Sequence, residues 1–303
     1  YDGAAFQWRT SHQRARGYYA STGSGGFLPT TGKFSVTGTP NTSISGSLNY
    51  TANTTSGGTG SGWNLVGNPF TCNLDWAQGV SKSNINDAYY IWDPVTELYK
   101  YYSSDAISGT YLSSSNTLSG IIPPMQAFFV EATQSQNSIS ATMAVSGTTS
   151  STIEYISKTS SDNLILGVVD LSDSTKNDAT WVINNPTAHE GFDGDHDAWK
   201  MFNGATQPNI YSTFLSEDIA VNTLNFTKTP VIPVGFDGPT TGAYSISLEQ
   251  IVNSSTYNVM LEDKHTKNLH DLSSKPYTFK NSGWTSESPR FALHLSPNTS
   301  MGL

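Results

Sequence analysis

The sequence has a single cysteine, Cys72, and no apolar run of the roughly 18 residues that a membrane-spanning helix needs. A lone cysteine excludes a disulfide within the chain, so the fold must be held by its packed core. No histidine lies close to Cys72 in the sequence to act as a base, and we interpret Cys72 as a small buried residue after the Asn68-Pro69 turn. No membrane span is predicted.

Charge is also scarce. Charged residues make up 13% of the chain, about half the usual share. The net charge is −9, and the one basic cluster, Arg9, Arg14 and Arg16, is interpreted as a solvated group. Without a basic patch, nucleic acid is excluded as a partner. Ser, Thr, Asn and Gly must then supply the polar surface, which is typical of exported β-proteins.

Helical periodicity is almost absent. Short segments of alternating apolar and polar residues, such as residues 43–50 and 163–169, are closed by turn residues about every ten positions. This pattern predicts an all-β fold of two antiparallel β-sandwich domains in tandem, of the jelly-roll or immunoglobulin-like kind. Two short helices are predicted, at residues 74–80 and 197–202.

A run of small and hydroxyl residues at 146–151 follows the strands of the first half, and the pattern restarts after it. We therefore expect a first sandwich domain at residues 1–148 and a second at 149–298. Residues 299–303 are expected to form a tail.

Three apolar-aromatic segments carry the most information in the first half. They read Gly-Trp-Asn-Leu-Val-Gly-Asn-Pro-Phe at 62–70, Tyr-Ile-Trp-Asp-Pro at 90–94, and Ile-Ile-Pro-Pro-Met-Gln-Ala-Phe-Phe-Val at 121–130. Trp63, Trp76 and Trp92 can each bury a large area but need a partner for the indole N–H. Asn68-Pro69 forces an extended asparagine and ends a strand. These residues are interpreted as core and turn positions.

The same segments resemble, in the same order, a module of Bacteroidetes proteins exported by the type IX secretion system, in which a GWNLVGNPYPS stretch is followed by IDW. Phe70-Thr71-Cys72 departs from the usual Tyr-Pro-Ser. In the second half, Asp197-Ala198-Trp199-Lys200 and residues 290–295 are similar to the region that often follows. The resemblance implies an extracellular, cell-surface location. In such proteins a C-terminal sorting domain normally begins just after the segment that residues 290–295 resemble, and we expect that it is not part of this sequence.

A cluster of acidic residues at 193–197 is the best candidate metal site. Asp193, Asp195 and Asp197 alternate along the chain with Gly194 between the first two. A tight turn would let these oxygens converge on Ca²⁺, which prefers oxygen ligands. We predict a structural calcium ion here. The alternatives are a polar turn whose aspartates cap a short helix at residues 198–200, and a zinc site that uses His189 and His196.

Motifs of the common enzyme classes are missing. The sequence contains no Gly-x-Ser-x-Gly elbow, and its glycine-rich runs at 23–26 and 57–60 lack the Lys-Ser/Thr ending of a phosphate loop. Carboxylate pairs for glycoside hydrolysis meet only in three dimensions, so the sequence does not identify them. We expect that the protein is not an enzyme.

Tyrosines are dense in the first half, and strand alternation should expose one member of each adjacent pair. We therefore predict Tyr19, Tyr99 and Tyr101 as surface residues that bind a ligand or partner. The alternative is a half-buried aromatic ladder between strands.

The function expected from the sequence is that of a non-catalytic, exported structural or adhesive protein of the cell surface. Its partners would be copies of itself or other surface proteins. The alternative is a carbohydrate-binding module of a larger polysaccharide-degrading protein, with glycans as ligands.

Overall fold

The structure is a computed structural model, and it describes residues 39–50, 62–93, 96–104, 118, 120–124, 126–142, 163–188, 191–215, 217–239, 242–251, 257–281 and 289–297. Within these ranges every regular element is a β-strand, which confirms the all-β prediction. Among the described residues, no helix has the length and hydropathy to cross a membrane.

The described strands number twenty. The first nine are β1 (Ser43–Gly46), β2 (Trp63–Gly67), β3 (Leu74–Asp75), β4 (Val80–Ser83), β5 (Tyr89–Asp93), β6 (Leu98–Tyr102), β7 (Ile121–Ile122), β8 (Ala127–Glu131) and β9 (Ser138–Thr142). The others are β10 (Asn163–Asp170), β11 (Asp173–Asn184), β12 (Ala198–Trp199), β13 (Asn209–Phe214), β14 (Glu217–Leu224), β15 (Val231–Asp237), β16 (Ala243–Ile251), β17 (Tyr257–Asp263), β18 (Asn268–Asp271), β19 (Tyr277–Lys280) and β20 (Phe291–Pro297).

Both predicted helices are wrong. At 74–80 the chain makes β3, a turn and the start of β4, and Asp75 accepts the backbone N–H groups of Ala77 and Gln78 at 3.0 Å within that turn. At 197–202 it makes β12 and then irregular backbone. Because Asp side chains can hold a turn as well as cap a helix, the local signal did not separate the two.

The chain forms two compact units. Unit 1 comprises Tyr1–Ile91 and Gly120–Thr152, and unit 2 comprises Trp92–Ser119 and Ile153–Leu303. The boundary between residues 148 and 149 that the pattern indicated lies close to the division between Thr152 and Ile153. No pattern in the sequence indicates that the chain crosses into unit 2 within β5 and returns to unit 1 before β7.

Unit 1 contains two main sheets and a two-stranded one. Strands β1, β9 and β4 form one sheet in that order; β2, β8 and β5 are neighbours in another; and β3 pairs with β7. Trp76 is fully buried, with its ring edge-on to Tyr89 at 5.6 Å and to Phe128 at 5.4 Å. Its indole N–H donates to the Asp87 carbonyl at 2.6 Å, so the buried ring keeps a hydrogen-bond partner.

The Asn68-Pro69 turn is held by the side chain of Asn68. Its amide donates to the carbonyls of Cys72, Ile122 and Pro123 at 3.0, 2.9 and 3.1 Å, and its oxygen accepts the N–H of Phe70 at 3.0 Å. At the other end of the motif, Gly62 has φ +84° and lies so close to Ala132 that a Cβ would stand 1.9 Å from its carbonyl oxygen. The motif is therefore a core-and-turn structure, as the sequence indicated.

Unit 2 is built on an 11-stranded sheet in the order β18, β17, β20, β15, β13, β14, β11, β10, β16, β19, with β12 paired to β14. Strands β11 and β14 run parallel, and the other pairs described in this sheet are antiparallel. Alternate residues of these strands form one apolar core, which includes Leu164, Val182, Ile210, Val234 and Leu293. Burial of one face fixes the register, because a one-residue slip would turn this set outward.

Strands β17 and β20, near one end of this strand order, meet β19, at the other end, around a buried ion pair. Arg290, just before β20, donates to both carboxylate oxygens of Asp263 at 3.0 and 2.7 Å and to the carbonyl of Lys280 in β19 at 3.0 Å. Tyr277 of β19 donates its hydroxyl to Asp263 at 2.9 Å. The sheet thus folds back on itself around a single core, as expected for the sandwich class.

Candidate functional site

The predicted calcium loop is a turn in which two aspartates bind each other's backbone. Asp193 accepts the N–H groups of His196 and Asp197 through its carbonyl, and donates its own N–H to Asp197 Oδ2 at 2.8 Å. Asp197 Oδ1 accepts the N–H of Thr223 on β14 at 2.7 Å. Burial raises the pKa of Asp197 to about 7, because its effect is larger than that of the hydrogen bonds from Asp193 and Thr223, which lower the pKa.

In this turn Asp195 is exposed, and its N–H donates to Asp193 Oδ1 at 3.1 Å. Within the described ranges, no three His, Cys, Asp or Glu side chains are grouped to hold a metal ion. His189, of the alternative zinc site, lies outside the described residues. Calcium at Asp193, Asp195 and Asp197 stays a prediction. In the structure, Asp197 connects the turn to β14 through its hydrogen bond from Thr223. The predicted helix cap is wrong, because β12 follows.

The predicted surface tyrosines are in different environments. Tyr19 lies outside the described residues. Tyr99 is half-buried, and its ring packs on Trp92 with centroids 4.8 Å apart. Tyr101 is 3% exposed and donates its hydroxyl to the Ala179 carbonyl at 3.5 Å, so its prediction as a surface residue is wrong. Burial, and then the Asp178 carboxylate, raise the pKa of Tyr101 well above its usual value.

Strand alternation also fails for Tyr89 and Tyr90, which are both buried. Tyr89 packs edge-on against Trp76 and Phe128, and Tyr90 packs edge-on against Trp63 at 5.2 Å. Apolar neighbours therefore cover this part of β5 on both sides. The alternation argument assumes that one face of a strand meets water, and that condition is not met here.

An aromatic and acidic surface that the sequence did not indicate lies on unit 2. Tyr211 opposes Gly235, Asp218 opposes Thr213, and Asp237 opposes Asn209, so period-two alternation places these side chains on the face opposite the buried Ile210. Phe202, 41% exposed, meets the Tyr211 ring edge-on at 5.3 Å. We call Phe202, Tyr211, Asp218 and Asp237 the Tyr211 surface.

Gly235 makes room for this surface. A Cβ on Gly235 would stand 2.2 Å from the Tyr211 ring, so only glycine lets the ring lie across β15. Burial, and then Asp237, raise the pKa of Asp218, while Lys200 lowers it. Burial, and then Asp218 and Asp237, raise the pKa of Tyr211. A ring flanked by two hydrogen-bond acceptors can contact the apolar face of a sugar and accept from its hydroxyls.

A buried ion pair lies beside the Tyr211 surface. Lys200 Nζ contacts Asp178 Oδ2, and the two side chains are 2% and 0% exposed. The same carboxylate oxygen accepts the N–H of Ile210 at 2.7 Å. The β13–β14 ladder covers only Ser212–Phe214, so Asp178 of β11 supplies the acceptor where that ladder has ended. Sequence spacing did not indicate the pair, because 22 residues separate its members.

A groove in unit 1 runs between two strands that end their sheet orders. β1 is last in the order β4, β9, β1, and β2 is last in the order β5, β8, β2, among the described strands. Between them is a cavity of about 250 Å³. Its apolar lining includes Ile44, Leu48, Leu65, Trp76, Phe128 and Ile139. We call this feature the edge groove, and edges of this kind are where an added strand can pair.

One family model, described as a domain of unknown function, DUF8693, matches residues 3–295. The chain belongs to this family. No curated protein and no solved structure matches the chain. The DUF8693 match therefore spans both units, and its description assigns neither of them an activity.

Proposed function

We propose that this DUF8693 protein is a non-catalytic structural or adhesive protein, exported to the cell surface, that assembles with copies of itself or with other surface proteins. The edge groove carries the proposal. Strand edges that are unpaired among the described residues, and that lie beside an apolar cleft, can accept an extended segment. The backbone of that segment would pair with the edge while its alternate side chains fill the cleft. The scarcity of charge and the resemblance to type IX secretion proteins support the location.

Light scattering and electron microscopy of the purified protein test this function. We expect ordered oligomers or filaments, weakened by Ile44→Lys because a charge in the edge groove opposes strand pairing. Leu269→Lys is the matched control, since Leu269 is 56% exposed on β18 and lies outside the groove. A protein that stays monomeric at all concentrations, or assembles equally well with Ile44→Lys, contradicts the proposal.

Calcium belongs to the same proposal as a structural ion at Asp193, Asp195 and Asp197. An ion that binds only the folded protein raises its melting temperature as its concentration increases. We expect Ca²⁺ to raise the melting temperature, a chelator to reverse the change, and Asp195→Ala to abolish it. Asp173→Ala is the control, since Asp173 is a half-buried aspartate on β11 outside this turn. No change in melting temperature with Ca²⁺ contradicts the calcium prediction.

Glycan binding is the second candidate, and the Tyr211 surface is the observation that favours it. An exposed aromatic ring packed on a second one, with two carboxylates on the same face, matches the needs of a sugar ring. On a glycan array we expect Phe202→Ala and Asp237→Asn each to weaken binding at least tenfold, or about 1.4 kcal/mol. Leu269→Ala, the control, should bind normally. Absence of binding to any glycan contradicts this candidate.

A further inference from the structure

Strand pairing holds the amine of Lys200 against the carboxyl of Asp178. The backbone N–H of Lys200 donates to the Asp218 carbonyl at 2.8 Å, which extends the pairing of β12 with β14 by one residue. Asp178 lies within β11, whose next residues pair with β10 and β14. Since the backbones on both sides are fixed, Nζ and the carboxyl group are kept in contact without access of water.

Burial of both charged groups favours a reaction that converts them into an uncharged product. Removing an ammonium and a carboxylate from water costs several kcal/mol for each ion, and their mutual attraction only partly offsets that cost. An amide made from the two groups carries no charge. The Ile210 N–H, 2.7 Å from Asp178 Oδ2, is placed to stabilise negative charge on that oxygen during an attack on Cγ.

We propose that Lys200 and Asp178 form an intramolecular isopeptide bond. Lys200 Nζ attacks Asp178 Cγ, a C–N bond forms, and the Cγ–Oδ1 bond breaks. Oδ1 leaves as water with two of the three ammonium protons, and the third stays on the amide nitrogen. Oδ2 becomes the amide oxygen and keeps its hydrogen bond from Ile210. The reaction is a condensation and needs no oxidant or cofactor.

Asp218 is the group that we assign to proton transfer. Its backbone is paired with that of Lys200, and its side-chain charge interacts with the Lys200 ammonium. Asp218 is half-buried, and it can take a proton from Nζ and return it to the leaving oxygen.

The bond would supply a covalent constraint that cysteine does not supply within this chain. A chain with one cysteine forms no internal disulfide. A cross-link between residues 178 and 200 would restrict the unfolded chain as a disulfide of that loop length does. This inference is independent of the proposed assembly, because it concerns the bonding within unit 2.

Intact-mass spectrometry of the full chain tests the bond. We expect a mass lower than that of the sequence by one water molecule, and Lys200→Arg should restore the full mass, because a guanidinium does not replace the amine in this bond. Lys82→Arg is the matched control, since Lys82 forms an ion pair with Asp87 at 2.9 Å in a more exposed setting. It should keep the deficit.

Tryptic peptides separate the bond from a succinimide at Asp178, which also loses one water. Acylated Lys200 resists trypsin, so residues 177–228 should appear as one cyclic peptide, stable to hydroxylamine, whereas a succinimide leaves cleavage after Lys200 intact. The proposal is overturned if the parent has the mass of its sequence, if trypsin cleaves normally after Lys200, or if Lys200→Arg still has a mass one water molecule too low. Asp218→Asn should slow bond formation, and an unchanged rate overturns the role given to Asp218.

Discussion

Asp197 Oδ1 accepts the backbone N–H of Thr223 at 2.7 Å and joins the 193–197 turn to β14 across 26 residues of sequence. The carboxylate is 1% exposed, and burial raises its pKa to about 7. The folded protein thus retains a proton on Asp197 where the unfolded chain, with a pKa of 3.8, has lost it. The contribution of Asp197 to stability is therefore largest below pH 4 and decreases between pH 4 and 7.

We predict that Asp197→Asn makes the free energy of unfolding less dependent on pH in this window. The parent should lose at most about 1.4 kcal/mol per pH unit from this group between pH 4 and 7. Asparagine has no proton to release and keeps one acceptor oxygen. Urea unfolding at pH 5 and pH 7 measures the change, and equal slopes for parent and variant would argue against a protonated Asp197.

The Asp263–Arg290 pair predicts a large loss of stability on removal of one partner. Arg290→Met would leave the buried Asp263 carboxylate without its cationic partner. Removal of one partner of a buried ion pair costs about 3–5 kcal/mol of the free energy of unfolding. Lys100→Met is the matched control in unit 2, since Lys100 pairs with Asp93 at 2.9 Å with 35% of its side chain exposed, and it should cost about 1 kcal/mol or less. Similar losses for both variants in urea unfolding would contradict this.

The lowered pKa of Asp263 also leads us to expect a loss of stability in acid. Burial raises the pKa of Asp263, but hydrogen bonds from Arg290 and Tyr277, together with the Arg290 charge, outweigh burial and lower the pKa below its usual value of 3.8. The stability from this group is present above the unfolded pKa and is lost as the pH falls through the folded value. We expect unfolding curves of the parent below pH 3.8 to show this loss, and those of Arg290→Met to show less of it.

Gly235 and Tyr211 should be energetically coupled. Gly235→Ala places a Cβ where the Tyr211 ring lies, so it should destabilise the protein by about 1–3 kcal/mol. In a Tyr211→Ala background the same change meets no ring and should cost much less. A double-mutant cycle by urea unfolding gives the coupling directly, and a coupling near zero would mean that the ring moves aside freely.

The side chain of Asn68 should be necessary for the stability of unit 1. Asn68→Ala removes three hydrogen bonds to carbonyls and one from Phe70, and each buried group left unsatisfied costs about 1–3 kcal/mol. Asn41→Ala is the control, since it removes one described bond, to the Pro69 carbonyl. If both variants melt at the same temperature, the turn is held by something other than Asn68.

Local pattern was enough to predict the all-β fold and the role of the Asn68-Pro69 turn, because alternation and turn chemistry are properties of neighbouring residues. It was not enough for Tyr101, whose burial depends on a contact with Ala179 that lies 78 residues away. The Tyr211 surface was hidden for a similar reason. Tyr211, Asp218 and Asp237 belong to three strands, and only their register brings them to one face.

The pairing of Asp178 with Lys200 could not be predicted from spacing either. Its origin is the early end of the β13–β14 ladder, which leaves the Ile210 N–H to a side chain from β11. The sequence alone does not distinguish a buried lysine from a solvated one, because burial is a property of the fold and not of the residue.

The crossing of the chain within β5 has a consequence for biogenesis. Unit 1 is interrupted in sequence by Trp92–Ser119, so its strands β7, β8 and β9 are synthesised only after part of unit 2. A nascent chain emerging from the ribosome has no complete unit 1 until Thr152 has been added. A fragment truncated at residue 91 would therefore lack strands β7, β8 and β9 of unit 1. A fragment that contains all of unit 1 must extend to residue 152.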